Sequence, residues 1–204
     1  MNADGDRAVS DVLDFWFEGL DETGPAPQPL LARWFGKTDA NDQEIARRFA
    51  GLVEQALRGG LEPWAATPRG RLALVILLDQ FTRNLFRGSP RAFSGDARAL
   101  ALCREAIGRG DDQALDPYQR VFLYLPLEHA EDMALQRESV RVFEALAVEA
   151  PDGVEKDFDG FLDYARRHAV IIERFGRFPH RNQVLDRRSS PDETAFLREP
   201  GSSF

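Results

Sequence analysis

Thr67-Pro68-Arg69-Gly70-Arg71-Leu72-Ala73-Leu74-Val75-Ile76-Leu77-Leu78-Asp79-Gln80-Phe81-Thr82-Arg83 reads as a helix with a marked beginning. The Thr67 side chain can accept an otherwise unpaired N–H, and Pro68 brings a preset φ to the first helical position. Further along, Asp116-Pro117 opens a second helix in the same way. A shift of 49 residues lays Leu72 over Val121, Ile76 over Leu125, Asp79 over Glu128 and Arg83 over Asp132. In each copy the spacing i, i+4, i+7, i+11 holds two apolar residues and then two charged ones, all on one helix face. The similarity predicts two related helical hairpins stacked side by side, as in a helical solenoid.

The rest of the chain agrees with an all-α fold of stacked antiparallel hairpins. Alternating runs rich in Val, Ile, Thr and Tyr are almost absent, so half-buried strands are not expected. A first helix is predicted near 8–19, with Val9, Val12, Leu13, Trp16 and Leu20 on one face. A short one starts at Pro29 and stops at Gly36; another covers 39–58 and ends at Gly59-Gly60. Ser89-Pro90 and Ser190-Pro191 mark two more starts, and Glu193 completes a capping box with Ser190. The helix from Pro117 is predicted to run to about Val148 with a kink at Pro126. A last long helix spans roughly 157–175 and stops at Gly176. No linker-like segment interrupts the pattern, so one domain over 1–204 is expected.

Composition narrows the classes. With 204 residues, 43% hydrophobic and 29% charged, the chain is globular rather than disordered. Its longest apolar run, Leu72 to Leu78, is far too short to cross a bilayer, and Met1 to Asp6 is acidic, unlike a secretory signal. A cytoplasmic protein without membrane association is expected. Cys103 is the only cysteine and lies in an apolar helical stretch, as a core thiol does. The net charge of -8 opposes nucleic-acid binding.

Three polar clusters interrupt the apolar pattern. The first holds Asp79, Arg83 and Arg87 on one stripe, with Gln80 and Asn84 beside it. The second places Glu128, Asp132 and Gln136 on a stripe that prolongs an apolar one, together with His129 and Glu131. The third runs from His168 through Arg174, Arg177, His180, Arg181 and Asn182, turning at Gly176 and Pro179. All three histidines of the chain fall in the last two clusters. Unpartnered buried charges cost several kcal/mol each. The carboxylates are therefore expected to meet the arginines in one polar pocket on the concave side of the stack. No metal site is expected: neither His-Glu-x-x-His nor Glu-x-x-His is present.

Long stretches of these clusters resemble a known family. Leu77-Leu78-Asp79-Gln80-Phe81-x-Arg83-Asn84, Tyr124-x-Pro126-Leu127-Glu128-His129-x-Glu131 and Arg174-Phe175-Gly176-Arg177-Phe178-Pro179-His180-Arg181-Asn182 are similar to the bacterial Domain of Unknown Function 924 (DUF924) family. So are Val12-Leu13-Asp14-Phe15-Trp16-Phe17 and Phe196-Leu197-x-x-Pro200-Gly201-Ser202-Ser203-Phe204. The resemblance implies an all-helical, tetratricopeptide-like superhelix and implies no activity or cofactor. Two positions depart from it: Thr82 stands where proline is expected, and Asp186 where glycine is.

Three functions follow from the clusters. In one, the pocket binds a small anionic ligand through Arg83, Arg87, Arg177 and Arg181, since guanidinium forks suit carboxylate and phosphate. In another, the fold is an adaptor that grips a peptide and the polar residues brace it. In the third, His129 or His180 is a general base oriented by Glu128 or Asp79, as in a hydrolase. The oligomeric state is open.

Overall fold

The computed structural model describes residues 3–21 and 24–202, and all regular structure among them is helical. Helix α1 is Ala3–Phe17, α2 Gln28–Phe35 and α3 Asp39–Leu57. Helix α4, Pro68–Val75, widens into a π-helical turn over Ile76–Phe81 and resumes as α5, Thr82–Leu85. Then follow α6 Asp96–Arg109, α7 Pro117–Glu128, α8 Met133–Val148, α9 Glu155–Phe175 and the short α10 Pro191–Phe196. The four sequence-marked starts all carry the expected side-chain cap: Thr67, Ser89, Asp116 and Ser190 accept from Gly70, Arg91, Gln119 and Glu193 N–H groups. The Ser190–Glu193 capping box is complete. Gly176 ends α9 at φ 68, a left-handed backbone that glycine adopts without strain.

One expectation is corrected. The helix from Pro117 does not run to Val148: it ends at Glu128, and α8 begins after Asp132. The Asp132 carboxylate accepts the Leu135 N–H at 3.0 Å, so it caps a new helix instead of continuing the Glu128 stripe. A short polar side chain that can bond the backbone locally competes with helix propagation. Pro126 stays inside the last turns of α7.

Helices α7, α8 and α9 run antiparallel in succession. Arg120, near the start of α7, meets Glu149 just past the end of α8 at 2.8 Å. Arg166 of α9 meets Glu144 of α8 at 2.9 Å. The same shift of 49 residues superposes Arg71 on Arg120. Both are buried. Arg71 reaches Glu105 and Asp111 at the far end of α6, as Arg120 reaches Glu149 at the far end of α8.

Helix α1 joins the two copies. Its apolar stripe buries Val9, Val12, Leu13, Phe15 and Trp16. The Trp16 ring lies 5.3 Å from Phe81 in the π-turn and 5.5 Å from Phe122 in α7, while the Trp34 indole N–H of α2 donates to Trp16 O. Burying a side chain of this size stabilises by roughly 1.5–3 kcal/mol. The main core extends from Val9 to Ala165, and a smaller cluster of Ile171, Ile172 and Phe178 anchors the C-terminal turns.

Because α7 and α9 both end, and α8 begins, at the same end of the hairpins, the loop 129–132 and the turns after Phe175 are brought together there.

Candidate functional site

The π-turn places Asp79. A helical turn widened to i→i+5 bonding is uncommon and often marks a functional position. Here it points a carboxylate inward with no exposed surface at all. Asp79 Oδ1 lies 2.8 Å from His129 Nδ1 and 3.2 Å from Arg83 Nη1, and Gln80 Nε2 donates to Oδ2. Burial pushes the Asp79 carboxyl up, but Arg83 and the hydrogen bonds from His129 and Gln80 outweigh it and hold the group well below the usual range. The ionised carboxylate accepts, so His129 carries its proton on Nδ1 and leaves an unprotonated Nε2. Burial, reinforced by Arg83 and Arg181, lowers the His129 pKa despite Asp79, and the ring is neutral at pH 7. Among the described contacts none occupies Nε2.

Arg83 also forks onto Asp96, with bonds of 2.9 and 3.1 Å. Asp96 was not among the sequence candidates. A carboxylate in the first turn of a helix is ordinary, and only the fold shows that it faces α5. The approach depends on Gly95: a Cβ there would lie 2.2 Å from Leu78 O.

Around the Asp79–His129 pair lie residues of α7, α9 and the C-terminal turns. His168 donates from Nδ1 to Tyr164 O at 2.8 Å, and Glu128 Oε1 approaches the same nitrogen at 3.1 Å. That contact is not an ion pair at neutral pH. Burial first, and Asp79 second, push Glu128 up to about 8, so it keeps its proton. Burial and the neighbouring His129 drive His168 down to about 3. The two imidazoles lie 6.2 Å apart, so a proton-donating carboxyl and two neutral rings share one apolar-walled region. Phe178 packs against His168 at 5.4 Å and His180 at 5.7 Å, and burial brings His180 down to about 4.

Arg181 closes the cluster. Its guanidinium stacks on Phe178 and Phe93, 4.5 and 4.9 Å from the ring centres. It donates to His129 O at 3.0 Å and stands 3.9 Å from Asp96. Its Nε is buried without a hydrogen-bond partner. Burial and repulsion from Arg83 draw its pKa down to about 10. Glu131 accepts from Phe178 N and holds Arg187 bidentately, at 2.6 and 2.9 Å. Gln136 donates to the carbonyls of Glu128 and Ala130, tying α8 to the end of α7.

Not every candidate joins this centre. Asn84 and Arg87 turn away to Asp42 of α3, which both bind at 2.7–2.8 Å. Arg174 lies over Phe175 and Phe196. Arg177 pairs with Glu193, and Asn182 donates to Ser189. Asp132 is a helix cap. The expected neutralisation scheme is thus redrawn: Arg87 answers Asp42, Arg177 answers Glu193, Glu131 answers Arg187, and Glu128 carries no charge. Asp42, Asp96 and Arg187 gave no sequence signal because each partner lies 13 to 56 residues away. Among the described residues no three His, Cys, Asp or Glu gather to hold a metal ion, and no helix is long and apolar enough to cross a membrane. Cys103 is buried, and burial raises its thiol pKa well above the ordinary value.

Comparison with known proteins agrees with the sequence motifs. No curated protein matches the chain. A solved structure of a protein of unknown function from Agrobacterium tumefaciens, ATU0120, is 37% identical, with a TM-score of 0.79 over 95% of this chain and 98% of that one. The family model described as bacterial protein of unknown function (DUF924) matches residues 12–201. With nearly its whole length matched, the chain belongs to the DUF924 family.

Proposed function

We propose that the polar end of the stack binds a small anionic molecule and that His129 exchanges a proton with it. The observation that carries this reading is the Asp79–His129 pair. A fully buried carboxylate fixes the imidazole in one tautomer at 2.8 Å, which is how a general base is oriented. The His129 side chain keeps 16% of its surface exposed, so its Nε2 has an outlet. The sign of the ligand is argued from Arg181, whose buried cation faces Arg83 and has an unpartnered Nε. An anion beside it relieves both. Arg83 supports the site by holding Asp79 ionised; its own charge is met by Asp79 and Asp96.

The same pair supports a hydrolytic version as the second reading, with His129 activating a water against an anionic ester. A peptide adaptor asks for exposed side chains along a groove, whereas Asp79, Glu128, His168 and Arg181 are buried.

Thermal melting against small carboxylic acids and phosphorylated metabolites tests the proposal. A ligand at about a hundred times its Kd adds roughly 2.7 kcal/mol of stability, a shift of several degrees. The shift is expected to vanish in His129→Gln and in Asp79→Asn. A flat panel, or a shift that survives both substitutions, counts against the reading.

A further inference from the structure

We propose a second anion site, sharing no lining residue with the His129 centre, in a surface hollow of about 600 Å³ bordered by Arg177, Arg188, Arg198, Ser189, Ser190 and Thr194. It takes a small oxyanion of multiple charge, the chemistry common to phosphate esters, pyrophosphate and polycarboxylates.

The charges are the first argument. Among the described residues that line the hollow none is a carboxylate. Arg177 is matched by Glu193, which binds its Nε and Nη2 at 2.6 and 2.8 Å and which Arg177 holds down at about 2. Arg188 and Arg198 have no ion pair among the described residues. Two uncompensated guanidiniums therefore border one hollow, in a chain whose net charge is -8. Guanidinium forks bind multiply charged oxygen groups through paired N–H donors.

The hydroxyls are the second argument. Ser190 Oγ accepts from Glu193 N at 3.1 Å, and Ser189 Oγ accepts from Asn182 Nδ2 at 3.1 Å. A seryl oxygen that already accepts from the protein keeps its own proton to give. Both serines are thus set as donors. Thr194 differs: its proton goes to Ser190 O at 2.9 Å, so it supplies shape only. Two guanidiniums and two hydroxyl donors match an oxyanion. The hollow has the volume of a small-molecule site.

Calorimetric titration of the full chain with inorganic phosphate, pyrophosphate and citrate, at fixed ionic strength, tests this. At least one of the three is expected to bind with a Kd below about 1 mM. The double variant Arg188→Ala/Arg198→Ala removes only exposed side chains, so the fold is retained. It is expected to weaken that binding about ten-fold or more, as loss of charge-assisted bonds does. Arg174→Ala, another exposed arginine outside the hollow, and His129→Gln are each expected to leave it within about two-fold. Preference for pyrophosphate over citrate names a phosphate ligand, and the reverse a polycarboxylate. Three outcomes overturn the proposal: no binding by any of the three anions, equal weakening by Arg174→Ala, or binding lost in His129→Gln but kept in the double variant. The last would leave the His129 site standing.

Discussion

At Glu128 a carboxyl group 4% exposed lies near His168 and the Asp79 carboxylate, and burial first and Asp79 second favour the proton staying on. Its folded pKa of about 8 stands above the ordinary 4.5, so the folded chain holds a proton that the unfolded chain has released. The stability tied to that proton is complete below about pH 4.5 and is lost as pH climbs through 8. His168 works in the opposite direction. At about 3 against 6.5, it stays neutral while the unfolded chain takes up a proton, so its share is complete above 6.5 and is lost as pH falls towards 3. Between 4.5 and 6.5 the two slopes oppose each other; above 6.5 Glu128 acts without that counterweight, at up to about 1.4 kcal/mol per pH unit. The melting temperature is expected to fall between pH 6.5 and 8 in the wild type and to stay nearly level in Glu128→Gln. An equal alkaline decline in both would mean that Glu128 is ionised in the fold. Asp186 is another residue whose surroundings were not legible. It sits at φ 52, the one non-glycine with positive φ among the described residues, where the family resemblance leads one to expect glycine. Aspartate tolerates this left-handed conformation better than most residues, so the turn is retained.

On the scale of an element, the end of α5 at Leu85 alters the reading of the first cluster. A helix continued through Arg87 would keep Asp79, Arg83 and Arg87 on one stripe, but the chain leaves the helix at Phe86, so Arg83 faces Asp79 and Asp96 while Arg87 faces Asp42. Thr82 fits the widened turn: its hydroxyl donates to Leu78 O at 2.8 Å. Proline, expected at that position, has no N–H, so it also suits a turn in which the ordinary i→i−4 bond is given up. The start of α6 presses on the same carbonyl through Gly95. Gly95→Ala would drive a Cβ to 2.2 Å from Leu78 O, a backbone carbonyl with no flexible end to yield. The expected cost is about 1–3 kcal/mol, read as a lowered urea midpoint. An unchanged midpoint would show that α6 can slide without disturbing the Arg83–Asp96 fork. Asp132 makes the same point about element boundaries. An aspartate three residues before Leu135 was a legible cap, but shared spacing with Glu128 and Gln136 favoured one long helix instead.

For the whole molecule, the C-terminal turns are what complete the polar end. Glu131, in the loop between α7 and α8, binds Phe178 N and both ends of the Arg187 guanidinium, and Arg187 in turn donates to Phe178 O. The Glu131 bonds span 47 to 56 residues of chain. They fasten the segment that delivers Arg181 to His129. Glu131→Gln weakens a half-buried charged pair, at about 1–3 kcal/mol. Native-state trypsin digestion is expected to cut the variant after Arg181, Arg187 or Arg188 many times faster than the wild type, while α1 to α9 stay protected. Equal cleavage rates would show that the small Ile171, Ile172 and Phe178 cluster holds the segment without the ion pair.

Helical character and the caps were determined by the chain alone, because they rest on bonds and periodicities that act within a few residues: Thr67, Asp116 and Ser190 cap the N–H groups three positions on, and α1 buries residues spaced three and four apart. The motifs around Asp79, His129 and Arg181 also marked where polar residues concentrate. Tertiary structure decided the pairing and the charge. That Asp79 orients His129, that Arg83 takes Asp96 and Arg87 takes Asp42, and that Glu128 holds a proton at neutral pH all depend on distances between elements and on loss of water around them. Coulomb attraction and desolvation act through space and burial, and no spacing along a chain records either one.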